Sequence, residues 1–228
     1  MATRPFFISN SDETILVTKR EVSFTWHPGF SVTQKQKSIN SFHNEIRKIK
    51  VNNIFLNPLE VSTKSSSDFG KSLSAFNLKI FHSEYGFVYL ESAYQSSKIF
   101  ENGDNYNDIL LKMPIDAKRD LRIKDSGNVI KFVFDGIIFP TTPVSLFYDW
   151  LYIRSLQFID NIAEQIAIYN SFTDIEFNPI YSWNTQARSI ALFRGFNYRN
   201  ILEPWKLTFE QFSAIAFPIL PTNLRLNI

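Results

Sequence analysis

One stretch constrains the fold and function of this chain more than any other stretch. It covers residues 89–100, Tyr-Leu-Glu-Ser-Ala-Tyr-Gln-Ser-Ser-Lys-Ile-Phe. As a helix it places Glu91, Gln95 and Lys98 at positions i, i+4 and i+7, so the three side chains stack along one face. Apolar residues crowd both flanks of this face. A partly buried carboxylate beside an amine is a candidate for acid–base or nucleophilic chemistry. The pattern alone is nevertheless more typical of a solvated Glu/Lys stripe on a surface helix.

The residue types that are rare or missing exclude several classes of protein. The chain has no cysteine, which excludes disulfides, thiolate metal sites and cysteine nucleophiles. Its seven glycines form neither a phosphate-binding loop nor a dinucleotide-binding pattern, which excludes two large classes of enzyme. The three histidines are scattered without the spacing of metal ligands, so we expect neither a metal nor another cofactor.

Length and charge indicate one intracellular domain. The 228 residues contain no evident linker, and they lack both a signal-peptide pattern and the run of about 18 apolar residues that a membrane span needs. We therefore expect a cytoplasmic protein without a membrane partner. Basic residues cluster at 35–50 and 112–131, with acidic residues between them. These clusters are typical of solvated helix faces, and contact with nucleic acid stays open as the alternative.

Periodicity and turn residues predict an α+β fold, mostly helical with short β-hairpins. Strands are expected at 5–10 and 14–26, and hairpins at 76–90 and 129–139, the second turning at Asp135-Gly136. Helices are expected at 32–49 with Ser31 as N-cap, at two short segments after 107, at 144–170, at 185–201, and after a Thr208/Gln211 capping box.

Several polar residues outside the 89–100 stretch are candidates for binding. Lys35 lies at the start of the first helix, where a helix N-terminus and a cation can hold a phosphate. The hydroxyl-rich loop 57–72 carries Lys64 and suits a phosphorylated or polyhydroxylated ligand, although it is also typical of a flexible linker. Asp174 and Arg188 are charged residues in apolar surroundings, and Trp183 lies in a loop where an aromatic ring could face a base.

Two segments resemble the motifs of the NADAR family. The run from Leu73-Ser-Ala-Phe to Leu90-Glu-Ser-Ala-Tyr-Gln-Ser-Ser-Lys is similar to a Leu/Phe-Ser-Asn-Phe segment followed by a Glu-His-Ala-Tyr-Gln-x-x-Lys helix. The later Ala117-Lys118 is similar to a family Ala-Lys pair. Ser92 stands where many members have histidine, Ala75 where asparagine is common, and Phe177-Asn178-Pro179 replaces a Trp-Gly-Asp-Gly stretch.

Further segments resemble the NADAR branch found beside DarT, a toxin that ADP-ribosylates DNA. They are Trp26-His-Pro-Gly-Phe-Ser-Val-Thr-Gln-Lys-Gln-Lys, Val61-Ser-Thr-Lys-Ser, Phe147-Tyr-Asp-Trp-Leu-Tyr, Phe172-Thr-Asp-Ile-Glu-Phe-Asn-Pro and Gln186-Ala-Arg-Ser. The resemblance covers nearly the whole chain. It implies one NADAR-like domain over residues 1–228, with an N-terminal extension of about residues 1–55 packed on the catalytic core.

The resemblance implies a function as well as a fold. NADAR antitoxins of this branch hydrolyse the N-glycosidic bond to the C1″ carbon of ADP-ribose and so remove ADP-ribose from guanine bases of DNA. The expected partners are guanine-linked ADP-ribosylated DNA, ADP-ribose as product, and a DarT-type toxin. Two rival functions stay open. One is an N-glycosidase acting on a riboflavin-pathway intermediate, and the other is a non-catalytic module that binds ADP-ribose or the toxin.

The resemblance also assigns roles to residues. Glu91 matches the motif glutamate, suited to stabilise an oxocarbenium-like centre and activate water. Lys98 matches the motif lysine and either protonates the departing base or, if neutral, attacks C1″. The nearby Glu91 carboxylate is expected to raise the pKa of Lys98 and so oppose neutrality. Lys64 is the other possible nucleophile. The expected substrate-binding residues are Lys35, Ser74, Phe76, Gln95, Asp174, Asn178 and Arg188, with Lys35 and Arg188 at the pyrophosphate.

Overall fold

A computed structural model describes residues 1–11, 14–178 and 185–218, and it confirms the predicted α+β class. The strands are β1 Ala2–Ser9, β2 Val17–Phe24, β3 Lys50–Val51, β4 Ile54–Phe55, β5 Pro58–Glu60, β6 Lys79–His82, β7 Gly86–Tyr89, β8 Lys98–Phe100, β9 Val129–Phe134, β10 Ile137–Phe139 and β11 Ser171–Thr173. The α-helices are α1 Val32–Ile46, α2 Asp68–Ser72, α3 Leu90–Ser96, α4 Pro114–Arg119, α5 Leu121–Asp125, α6 Leu146–Ser155, α7 Ile162–Ile166, α8 Gln186–Tyr198 and α9 Phe209–Ala216. Short 3₁₀ helices cover Asn107–Leu111, Leu156–Phe158 and Pro204–Lys206.

A four-stranded sheet in the order β2-β1-β11-β5 forms the middle layer of the fold. Strand β1 alternates between its two faces. Phe6 and Ile8 belong to a cluster under α1, whereas Phe7 faces the larger core that contains α6 and α8. The sheet therefore separates two apolar clusters. Strands β11 and β5 pair in parallel, so Thr173 lies beside Glu60 at the end where both strands stop.

Helix α1 begins as its sequence predicts. The Ser31 hydroxyl accepts a hydrogen bond from the Gln34 amide, 3.3 Å away, which satisfies one of the free N–H groups of the first turn. On its buried face, Phe42 stacks on Phe24 with ring centroids 4.6 Å apart. The N-terminal residues thus contribute two strands to the central sheet and a helix that covers one face of it.

The central helix is shorter than predicted. Helix α3 ends at Ser96, and Lys98 already belongs to strand β8, which pairs with β9 in the sheet β10-β9-β8. Lys98 still follows Glu91 on the same side, because Ser97 is helical at the C-cap and continues the turn. The prediction of one helix through residue 100 is wrong. The β-branched Ile99 between Lys98 and Phe100 favours the strand.

The predicted helix at 144–170 is also wrong. The structure divides it into α6, a 3₁₀ turn and α7, because Ile159 is extended and Asn161 adopts a left-handed conformation with φ 51°. Asparagine tolerates that conformation better than most residues, so Asp160-Asn161 acts as a turn.

Most of the other local predictions are confirmed. The hairpins β6–β7 and β9–β10 form, the second with Asp135 and Gly136 at positive φ, and the Thr208/Gln211 capping box is present. Within the described ranges, no helix is long and apolar enough to cross a membrane.

Candidate functional site

The start of α3 is tied to the segment 73–78. The amide of Leu90 donates to the carbonyl of Leu78 at 2.9 Å, and the amide of Glu91 donates to the carbonyl of Ala75 at 3.2 Å. The Ala75 amide donates in turn to Gln186 Oε1 at 2.7 Å, at the start of α8. Segment 73–78 is therefore held between two helices, and its backbone hydrogen bonds fix the position of Glu91 at the start of α3.

Glu91, Gln95 and Lys98 form a continuous hydrogen-bonded chain. Gln95 Nε2 donates to Glu91 Oε1 at 2.9 Å, and Lys98 Nζ donates to Gln95 Oε1 at 2.6 Å. Glu91 is only 5% exposed, and Lys98 is half-buried. The three groups do lie on one side, as the spacing predicts, but they are not a solvated surface stripe. The amide bridges the carboxylate and the amine without bringing them into direct contact.

The protonation of Lys98 is decided by burial. Desolvation lowers the pKa of Lys98 to about 8, the Glu91 carboxylate opposes that fall, and the positive charge of Lys118 adds to it. Glu91 raises the pKa of Lys98, as the sequence predicts, but desolvation has the larger effect and the pKa still falls below the ordinary value of a lysine. Because an interposed amide weakens the attraction between the two charges, the loss of hydration dominates.

Asp174 reaches the same region from the end of β11. Burial raises the pKa of Asp174 to about 6, and the positive charge of Lys118 opposes this rise. Asp174 Oδ1 accepts a hydrogen bond from the Glu176 amide at 3.0 Å. Lys118 thus lies close enough to shift the pKa of both Lys98 and Asp174. These two residues are 76 positions apart in the chain.

Tyr148 of α6 lies near both carboxylates, Glu91 and Asp174. Burial raises the pKa of the Tyr148 phenol well above its usual value, and the negative charges of Glu91 and Asp174 add to that rise. The Tyr148 ring packs edge to face against the Tyr94 ring, with centroids 5.0 Å apart. Lys98 Nζ lies 5.1 Å from the centroid of the Tyr94 ring. A neutral phenol and the Tyr94 ring therefore lie close to the charged groups of the site.

Lys118 and Gln186 are residues that the sequence-based site missed. Lys118 is exposed on α4, and its Nζ lies 5.2 Å from the centroid of the Phe76 ring. Both residues belong to segments that carried the family resemblance. Their place in these segments was the sequence signal that could have identified them as site residues. Neither segment indicated which residues their side chains would contact.

The other predicted site residues have contacts of their own within the protein or are partly buried. Lys35 Nζ forms an ion pair with Glu176 Oε1 at 3.0 Å, and Arg188 forms an ion pair with the buried Asp149. Lys64 is half-buried, and its amide donates to Ser62 Oγ at 3.2 Å. Ser74 is buried and accepts from the amide of Phe76 at 3.4 Å. Asn178 is half-buried, and Trp183 and Pro179 lie outside the described residues.

A second buried carboxylate, Glu60, lies beside this region at the end of β5. Glu60 Oε1 accepts from Ser62 Oγ at 2.5 Å and from the Ile175 amide at 2.8 Å, and Oε2 accepts from Thr173 Oγ1 at 2.6 Å. His43 Nε2 lies 2.8 Å from Thr173 Oγ1. We refer to Glu60, Ser62, Thr173 and His43 as the Glu60 cluster.

Two surface cavities are lined by residues other than Glu91, Gln95 and Lys98. One, of about 370 Å³, is lined by residues that include His82, Ser97 and Asp135, and the other, of about 400 Å³, by residues that include Leu78, Phe87 and Phe158. In the described part of the chain, no three His, Asp or Glu side chains are grouped to hold a metal ion.

Comparison with known proteins places the chain in a family. A family model described as "DarT1-associated NADAR antitoxin" matches residues 2–220, which is nearly the whole chain. A search of curated proteins found no match.

Proposed function

Because the chain belongs to the DarT1-associated NADAR antitoxin family, we propose that it hydrolyses the N-glycosidic bond between ADP-ribose and guanine bases of DNA. This reaction reverses the modification made by a DarT-type toxin and explains how the protein acts as an antitoxin. Its substrate is guanine-linked ADP-ribosylated DNA, and its products are free ADP-ribose and repaired DNA.

The single observation that carries the proposal is the buried chain Glu91–Gln95–Lys98. Cleavage of a ribosyl–nitrogen bond passes through an oxocarbenium-like centre, which needs a negative charge close to C1″. The departing base needs a proton. Glu91 supplies the charge and Lys98 the proton, and Gln95 holds the two at a fixed separation.

The proposed reaction proceeds in two steps. First, the bond from C1″ to the guanine nitrogen breaks, its electron pair stays on the base, and the Lys98 ammonium protonates the base. Second, a water oxygen attacks C1″ and its proton passes to Glu91. Solvent then removes the proton from Glu91 and returns one to Lys98. With a pKa of about 8, Lys98 is mostly protonated at neutral pH yet gives up its proton readily, as suits a general acid.

The remaining groups suit the rest of the substrate. Lys118 is an exposed cation next to the Phe76 ring, so it replaces the ion-paired Lys35 and Arg188 as the proposed pyrophosphate contact. Asp174 is the proposed acceptor of hydrogen bonds from ribose hydroxyl groups, because Lys118 opposes protonation of its carboxylate.

Turnover of a guanine-ADP-ribosylated oligonucleotide tests the proposal. The wild-type protein is expected to release free ADP-ribose, measured by chromatography. Glu91→Gln keeps the shape of the side chain and removes its charge, so we expect kcat to fall by about 10³-fold. Glu164→Gln, at an exposed position of α7, is the matched control and should be fully active.

Three other outcomes would contradict the proposal. Release that survives Glu91→Gln would show that another group acts at C1″. Tight binding of ADP-ribose by the wild type without any release would favour a non-catalytic binding module. Cleavage of a free riboflavin-pathway N-glycoside, with the oligonucleotide left intact, would favour the other enzymatic function.

A further inference from the structure

The N-terminal part of the chain has a net positive charge, in contrast to the rest of the protein. Residues 1–50 contain eight Lys or Arg and four Asp or Glu, a net charge of +4, whereas the whole chain has a net charge of only +2. The remaining residues are therefore net negative. An excess of positive charge on one segment suits a polyanionic partner, provided that this segment lies close to the proposed site.

A cation–aromatic cluster forms at the end of β2. The half-buried Trp26 has Arg4 Cζ 5.7 Å and Lys35 Nζ 5.1 Å from its ring centroid, so two cations lie against one indole. Such a combination of aromatic face and positive charge is the pattern with which proteins bind single-stranded nucleic acid.

This cluster is joined to the proposed site by a short series of contacts. Lys35 pairs with Glu176 at 3.0 Å, and the Glu176 amide donates to Asp174 Oδ1 at 3.0 Å. Arg4 Nη1 donates to the carbonyl of Phe177 at 3.4 Å. Residues 174–177 therefore connect the two places, since they include Asp174 and since Glu176 and Phe177 contact Lys35 and Arg4.

A second aromatic residue, Phe30, lies near this cluster in the sequence. Its side chain is 98% exposed, and it directly precedes Ser31, the N-cap of α1. The chain from Trp26 to Phe30 spans four residues, so the two Cα atoms lie within about 14 Å of each other. An aromatic side chain that is almost fully exposed, and that lies this near to Trp26 and its two cations, is suited to stack on a base.

We propose that Phe30, Trp26, Arg4 and Lys35 form a surface that binds the DNA strand next to the modified guanine. The inference rests on the proposed function and extends it from the ADP-ribose group to the nucleic acid that carries it. Phe30 stacks on a neighbouring base, and Arg4 faces the phosphates. Lys35, which stays paired with Glu176, adds to the positive potential that orients the strand toward the Asp174 loop.

Two substrates of different size test this surface. One is a short single-stranded oligonucleotide with a single guanine-linked ADP-ribose, and the other is the ADP-ribosylated guanosine mononucleotide. We expect Phe30→Ala to raise KM for the oligonucleotide about tenfold or more, because stacking of one base is lost. The mononucleotide cannot reach the surface, so its kcat/KM should not change.

The matched control is Phe87→Ala, which removes another exposed phenylalanine that lies on the β6–β7 hairpin. It should leave both substrates unaffected. Arg4→Gln with Lys35→Gln should weaken the dependence of oligonucleotide KM on salt concentration, because fewer counterions are released from phosphates. Equal effects of Phe30→Ala on both substrates, or no effect on the oligonucleotide, would overturn the inference.

Binding separates this inference from the proposed function. Fluorescence anisotropy with an unmodified, labelled single-stranded oligonucleotide requires no turnover. Weaker binding by Phe30→Ala than by wild type and Phe87→Ala would support the surface even if no ADP-ribose were released. Unchanged binding would refute it even if hydrolysis were established.

Discussion

Glu91 and Glu60 are both buried, at 5% and 2% exposure, yet their surroundings differ. Within the described residues, the Glu60 carboxylate accepts three hydrogen bonds, from two hydroxyls and one backbone amide. Among the same residues, Glu91 accepts one, from the Gln95 side-chain amide, and it shares its region with Lys98 and Lys118. In this described part of the chain, the fold therefore occupies most of the lone pairs of Glu60, whereas most of those of Glu91 are left for a ligand.

This difference distinguishes Glu60, whose carboxylate has a structural role, from Glu91, the proposed catalytic carboxylate. Glu60 joins the end of β5 to residues 173–175, and Ser62 connects it to the loop that carries Lys64. Burial lowers the pKa of His43 to about 3, so its ring stays neutral and its Nε2–H can donate to Thr173. The Glu60 cluster thus supports two loops, and the Glu91 chain is the one that we propose supplies the reacting charges.

Removing the amine should give the largest effect. Lys98→Met keeps an unbranched side chain that is one atom shorter and deletes the proposed general acid, so we expect kcat to fall by about 10²- to 10⁴-fold. Lys124→Met, at an exposed position of α5, is the control. Borohydride during turnover distinguishes the two roles of Lys98, because ADP-ribose trapped covalently on it would identify Lys98 as a nucleophile instead.

Glu60→Gln should affect stability more than chemistry. The glutamine amide would donate toward Thr173 Oγ1, whose hydroxyl hydrogen then loses its acceptor, at a cost of about 1–3 kcal/mol in the free energy of unfolding. We expect Tm to fall by several degrees in a thermal melt. Glu91→Gln should leave Tm unchanged or raise it. A larger loss of Tm for Glu91→Gln than for Glu60→Gln would contradict the comparison.

The smallest effect should be a shift in the pH profile. As a general acid Lys98 must be protonated, so kcat/KM should fall as the pH rises through about 8. Lys118→Met removes a positive charge that lowers the pKa of Lys98, so that pKa should rise and the alkaline limb should move to higher pH. A limb that stays in place, or that moves to lower pH, would show that Lys118 does not act on Lys98.

Short-range signals in the sequence predicted much of the fold. The Ser31 cap, the Asp135-Gly136 turn and the Thr208/Gln211 capping box depend on residues within a few positions of each other, and all three form. The predicted helix at 144–170 failed because its apolar spacing continued through Asp160-Asn161, where turn chemistry prevailed over periodicity.

By itself, the sequence determined the α+β class, the family, and the presence of Glu91, Gln95 and Lys98 on one side of the chain. Only the tertiary structure decided which charges meet. It paired Arg188 with Asp149 and Lys35 with Glu176, brought Lys118 to Lys98 and Asp174, and buried Lys98 enough to lower its pKa. The physical reason is that helix caps and turns depend on neighbours in the sequence. Desolvation and Coulomb energies depend on groups that become neighbours only after folding.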